Sequence, residues 1–222
     1  VGIVSNSYWA TSVEDAELWL EPLVEAGIED LSLSDDAFHF DTEEDNPTKI
    51  ALQAAENLRL AADRICIEAP FTSLEDGSGA RAKGTPVVGG DVLFKGRAVE
   101  KLAEGWPTRS WEELDQCPYE ELEQPYRVHL DPFGNVQVCQ GVSIGNAWET
   151  PLSWLLKEYQ AEAHPICGPL IKGGPAQLAR EHQVEHDDAY IDECHFCYLM
   201  RTTLIDRFPQ FLSPRQVYGM EQ

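Results

Sequence analysis

Basic residues are scarce in this chain of 222 amino acids: 16 Lys and Arg stand against 39 Asp and Glu, a formal net charge of −23. Such a surface repels phosphate backbones, which argues against a nucleic-acid partner. The acidic residues run through the whole chain rather than forming a tail, so they read as solubility or salt adaptation before any specific cationic partner. Long apolar runs are missing too. No stretch reaches the roughly 20 residues a membrane-spanning helix needs, and the first residues show no basic segment leading into an apolar core. These absences predict a cytoplasmic protein with no membrane partner. Internal repeats and low-complexity tracts are absent.

A hydrophobic content of 43% allows a sizeable core without covalent staples. The six cysteines are therefore better explained by metal or cluster ligation than by a disulfide framework, which belongs to short secreted chains. Four of them carry the sharpest chemistry: Cys117, Cys139, Cys194 and Cys197. The Cys194-x2-Cys197 gap lets two sulfurs face one ion or cluster from a single turn. Spacing alone leaves tetrahedral zinc and an iron–sulfur cluster open, since both accept four thiolates. Cys66, inside an apolar stretch, reads as a small buried hydrophobe, and Cys167 as packing rather than a spare ligand. Trp148, Trp154 and Tyr159 read as core.

Up to about residue 95 the pattern alternates strand and helix. Residues 2–6 read as a buried strand, and Ser12 with Asp15 as a variant capping box for a helix carrying Ala16, Leu20, Leu23 and Val24, stopped by Gly27. Residues 28–34 form the next expected strand. Asn46-Pro47 opens a helix with Ile50, Ala54, Leu58 and Ala61 on one face, and residues 64–69 supply a third strand. Strand, helix, strand, helix, strand implies parallel pairing with helical crossovers, as in a doubly wound sheet or part of a βα barrel. Residues 71–90, rich in Gly, Ser and Pro, are expected to be a mobile loop or lid. Residues 92–94 are expected to be a short fourth strand ending in Lys95-Gly96-Arg97. Beyond Arg109 the texture changes. Residues 127–131 and 136–139 flank the turn Pro132-Phe133-Gly134-Asn135, helices are expected over 150–159 and after Gly173-Gly174-Pro175, and a last helix over 194–208.

Taken in order, Ser5-Asn6-Ser7, Ser34-Asp35-Asp36 with Phe38-His39, Gly96-Arg97-Ala98, the Gly134-x4-Cys139 hairpin, residues 140–146 and Cys194-x2-Cys197 resemble the carboxyl-terminal two-thirds of a radical S-adenosylmethionine enzyme with an auxiliary cluster domain of the SPASM or twitch type. The resemblance implies an α/β fold: a partial (βα) barrel over residues 1–110, then a small α+β cluster domain with a β-hairpin over residues 111–222. It implies one auxiliary [4Fe–4S] cluster on Cys117, Cys139, Cys194 and Cys197, and contacts to S-adenosylmethionine from Asn6, Ser34, Asp36 and Arg97 at strand ends. It also implies an oxidoreductase or maturase that makes a 5′-deoxyadenosyl radical, acting on a peptide or small-molecule substrate and fed by a flavodoxin or ferredoxin.

Two family features are missing. No three cysteines have the Cys-x3-Cys-x2-Cys spacing of the radical-generating [4Fe–4S] cluster, and no Gly-Gly-Glu segment is present. Both would lie upstream of Val1, so the chain is expected to be amino-terminally truncated and not to cleave S-adenosylmethionine by itself. Other readings of the same residues stand beside this one. Asn6 and Ser34 serve equally as loop caps, Asp36 with His39 as a surface pair, and Arg97 as an ion-pair partner. The cysteines serve equally as a structural zinc site, and the whole chain as a non-enzymatic module that binds a peptide or partner protein.

Overall fold

The computed structural model describes residues 1–40, 46–75 and 81–220. It forms two compact units, one of Val1–Pro70 with Gly90–Val92, the other of the remaining described residues. Residues 93–110, which the sequence groups with the first region, belong to the second unit.

The first unit runs β1 (Gly2–Ser5), α1 (Val13–Glu25), β2 (Asp30–Ser34), α2 (Pro47–Asn57) and β3 (Ala61–Ile65). Its strands pair in parallel in the order β1-β2-β3. Local chemistry sets the helix starts. The Ser12 side chain accepts the Asp15 amide at 3.1 Å, while the Asp15 carboxylate takes the Thr11 hydroxyl instead of closing the expected box. Asn46 Oδ1 accepts the Thr48 amide at 2.9 Å, and Pro47 holds the first helical position, where its missing N–H costs nothing. Leu58 caps α2 and Arg59 turns left-handed (φ 59°), so β3 begins at Ala61, upstream of the expected 64–69. Cys66 then falls past the strand and is exposed, against the expectation of a buried thiol.

Leu31 and Leu33 face the helices and pack with Ala16, Leu20, Ala51 and Ala54, all buried. Side chains alternate across a strand, so the aligned row Val4, Ser32, Asp63 lies on the opposite face, where Val4 is 69% exposed.

The second unit continues with β4 (Phe71–Glu75), β5 (Arg81–Gly89), α3 (Arg97–Leu102), β6 (Arg109–Ser110), β7 (His129–Leu130), β8 (Asn135–Cys139), β9 (Val142–Asn146), α4 (Leu152–Glu158), α5 (Cys167–His182), β10 (Ala189–Tyr190) and α6 (Glu193–Leu204). Three antiparallel sheets result: β4-β5, β10-β6 and β7-β8-β9. No sheet closes into a barrel among the described residues.

Residues expected to be a loop are thus the β4-β5 ribbon, with Leu74 opposite Pro86 and an irregularity after it; the tip, residues 76–80, lies outside the described residues. A two-stranded ribbon is all edge, which is where proline is tolerated. The expected strand at 92–94 is not formed. Phe94 instead is a single core anchor, 2% exposed.

The core of this unit gathers Val138, Val142, Ile166, Leu178, Phe196 and Leu212. His164 fixes the start of α5: its Nδ1 accepts the amides of Ile166 (3.2 Å) and Cys167 (3.1 Å), and its Nε2 donates to the Ser143 carbonyl at 3.0 Å. Trp148 and Trp154, expected in the core, are 73% and 55% exposed. Among the described residues, no helix is long and apolar enough to cross a membrane.

Candidate metal centre

Each of three chain segments delivers its cysteines by a different device. In α6, Asp192 caps the helix by accepting the His195 amide at 2.7 Å, which places Cys194 and Cys197 in adjoining turns of one face. Cys139 ends β8 at a turn through Gln140 and Gly141. Gly141 has φ 83°, its amide donates to Gln137 Oε1 at 2.6 Å, and its carbonyl accepts the Tyr218 hydroxyl at 2.7 Å. Cys117 follows a short turn in which the Leu114 carbonyl accepts the Ala176 amide at 3.1 Å. Beside it, Gly174 (φ 57°) comes so close that an added Cβ would sit 2.2 Å from the Gln116 nitrogen. Only glycine permits both that backbone angle and that approach.

The four predicted ligands Cys117, Cys139, Cys194 and Cys197 line one pocket together with Lys95 and Arg201. All four are free thiols. Burial pushes the thiols of Cys117, Cys194 and Cys197 up, Cys197 to about 12, and neighbouring thiols add to the effect in each case. Desolvation and mutual repulsion therefore keep these groups protonated in the metal-free protein, and a cationic centre between them would relieve both costs. Among the described residues, no three His, Cys, Asp or Glu side chains are grouped so as to hold a single metal ion. Cys167 does not line the pocket, although Cys117, Cys139 and Cys197 pack against the same core and act on its thiol. It is fully buried, its thiol is pushed up to about 12 by burial, and the Tyr159 hydroxyl is its hydrogen-bond neighbour.

Sequence reasoning gave no site role to Arg201, Tyr218, Lys95 or Gly174, the last two being read only as a strand end and a chain break. Arg201 had a signal, since it follows Cys194 by seven residues and Cys197 by four, on one helical stripe.

The proposed cofactor contacts are spread over both units. Asn6 follows β1 and its Oδ1 accepts the Tyr8 amide at 3.4 Å; Ser34 ends β2, and its carbonyl accepts the Thr48 hydroxyl at 2.7 Å. Asp36, 8% exposed, braces the following loops. Its Oδ1 takes the Phe38 amide at 3.0 Å and faces His39 Nδ1 at 2.9 Å, and its Oδ2 takes the Ile67 amide at 3.3 Å. Burial alone would raise this carboxyl, but those hydrogen bonds hold it below the usual range. Arg97 opens α3 in the second unit and does not stand at a strand end, because residues 92–94 form no strand.

Compared with known proteins, the sequence matches no family model, and no curated protein is significantly similar to it.

Proposed function

We propose that the second unit holds one [4Fe–4S] cluster on Cys117, Cys139, Cys194 and Cys197, and that the chain is the carboxyl-terminal part of a radical S-adenosylmethionine oxidoreductase or maturase. One observation carries the cluster reading: cysteines chosen from their sequence spacing line the same pocket.

A cluster bound here supplies one-electron chemistry. The chain's own part is to bury the thiols, hold them on a capped helix, a hairpin end and a glycine-seated loop, and keep water from most of the centre. In the first unit, Asn6 and Ser34 at the carboxyl ends of parallel strands are the proposed polar contacts to S-adenosylmethionine, since ligands bind at such ends in open and closed α/β sheets alike. Asp36 supports them by bracing the loops. In this reading the substrate is a peptide or small molecule and the electron donor a flavodoxin or ferredoxin, as the family resemblance implies.

Anaerobic purification and reconstitution test the cluster. About four iron and four acid-labile sulfide per chain, lost in Cys139→Ser and Cys197→Ser and kept in Cys66→Ser, support it; a colourless chain with zinc at these positions overturns it. The wider assignment is tested by the coding sequence upstream of Val1, where a Cys-x3-Cys-x2-Cys segment supports it and a start codon without one removes it.

A further inference from the structure

Arg201 is 2% exposed and among the largest fully buried side chains of the protein. No carboxylate pairs with it among the described residues. Its guanidinium donates to the Gln140 carbonyl at 2.8 Å and to the Cys197 carbonyl at 3.4 Å, and stands 3.5 Å from the Tyr218 hydroxyl and 5.6 Å from that ring. All of these partners are neutral. Burial holds Tyr218 in its phenol form, and its hydroxyl donates to the Gly141 carbonyl. An isolated buried cation is among the costliest groups a protein can hold.

Cys197, Cys139 and Cys194 act on Arg201 electrostatically and line the same pocket; Lys95, Glu120 and Glu193 share that wall, and the two carboxylates pair with Arg127 and Arg109 instead. Four thiolates around an iron–sulfur core leave the centre net negative. Arg201 also bridges two ligand segments, since Gln140 adjoins Cys139 and the Cys197 carbonyl belongs to α6.

Resting on the cluster reading above, we propose that Arg201 is the internal counter-charge of the four-thiolate centre, a positioning residue that joins two of its ligand segments and raises its reduction potential. Each added electron makes the centre more negative and strengthens its attraction to the fixed guanidinium. Across several ångströms at an effective dielectric of about 20, one charge shifts the reduction equilibrium on the order of tenfold or more, about 59 mV for one electron. Arg201→Gln removes this charge while keeping a polar side chain that can still donate a hydrogen bond.

The test compares the anaerobically reconstituted parent with Arg201→Gln, Arg201→Lys and Arg201→His by iron and sulfide content, dye-mediated redox titration and unfolding of the metal-free form. Arg201→Gln is expected to lower the reduction equilibrium constant at least about tenfold, and Arg201→Lys to stay near the parent. If Arg201→Gln does not fold, Arg201→His carries the test within one protein: its potential rises as pH falls through the imidazole range, more steeply than the parent's. Equal potentials in Arg201→Gln and the parent, or equal pH slopes in Arg201→His and the parent, overturn the proposal while leaving the cluster in place. A parent that takes up no iron and sulfide overturns both this proposal and the cluster reading.

Discussion

Asp192 Oδ1 accepts the backbone amide of His195 at 2.7 Å, and this bond caps the first turn of α6, the turn that carries Cys194. An acceptor at this position satisfies an amide that the helix itself leaves free. The helix that carries both thiols therefore starts on a residue that is not itself a proposed ligand.

Asp192→Ala is expected to destabilise the metal-free protein by about 1 kcal/mol and to weaken iron retention. Asp192→Asn and Asp192→Ser keep an acceptor and are expected to recover most of the loss. Urea unfolding of the reduced protein checks this, and an Asn variant as weak as the Ala variant would assign the effect to charge instead of capping.

Gly174 seats the loop that carries Cys117. A methyl group there would meet the backbone of Asp115 and Gln116, at a left-handed φ of 57°. Gly174→Ala is expected to cost on the order of 3 kcal/mol, whereas Gly27→Ala, with open space around it, carries only the strain of its backbone angle. Thermal unfolding of the two variants, with thiol alkylation of Cys117 by mass spectrometry, separates the cases.

His164 predicts a loss of stability in acid. Burial holds its pKa below 6.5, and its Nδ1 is already the acceptor for two amides at the start of α5. In the unfolded chain the imidazole takes up a proton as pH falls below about 6.5, while the folded protein resists, so the stabilisation is full above that value and lost on acidification. Partial desolvation lowers His129 and His195 in the same direction, and Asp192, raised to about 6 by burial, acts against them, losing its contribution as pH rises. Subtracting the profile of His164→Asn isolates the imidazole. Parallel curves for parent and variant between pH 5 and 7.5 would reject it, with pH range set by the ordinary imidazole value of about 6.5.

Asp36 holds loops from two strand ends through the amides of Phe38 and Ile67. Asp36→Ala leaves both donors without their acceptor and is expected to cost about 1–3 kcal/mol. Because the carboxyl sits below its ordinary 3.8, its contribution is present above that pH and disappears as pH falls through the folded value. Hydrogen exchange at the Phe38 and Ile67 amides is the local readout, expected to quicken in the variant.

Much of the local structure was legible in residue order. Ser12, Gly27, Asn46 and Pro47 act on amides and angles within a few bonds of themselves, so their helices start and stop near where the pattern puts them. The turn at Pro132-Phe133-Gly134-Asn135 likewise carries its own geometry, with φ 84° at Gly134. That Cys117, Cys139, Cys194 and Cys197 line one pocket agrees with the grouping read from their spacing.

Burial was not legible, because it depends on neighbours distant in the chain. Cys66 sits in an apolar run yet is exposed, since the length of β3 is decided by pairing with β2. Phe94 lies in a strand-like triplet yet serves as a lone core anchor, and residues 71–75 and 81–89 pair despite their glycine and proline because each strand supplies the other's partners. Residue order alone determined the capped helices, the parallel β1-β2-β3 pattern and the candidate ligands. Only the tertiary structure decided that the thiols share a pocket and that a buried guanidinium without a carboxylate stands beside them, because convergence and desolvation are properties of atoms that the chain brings together from far apart.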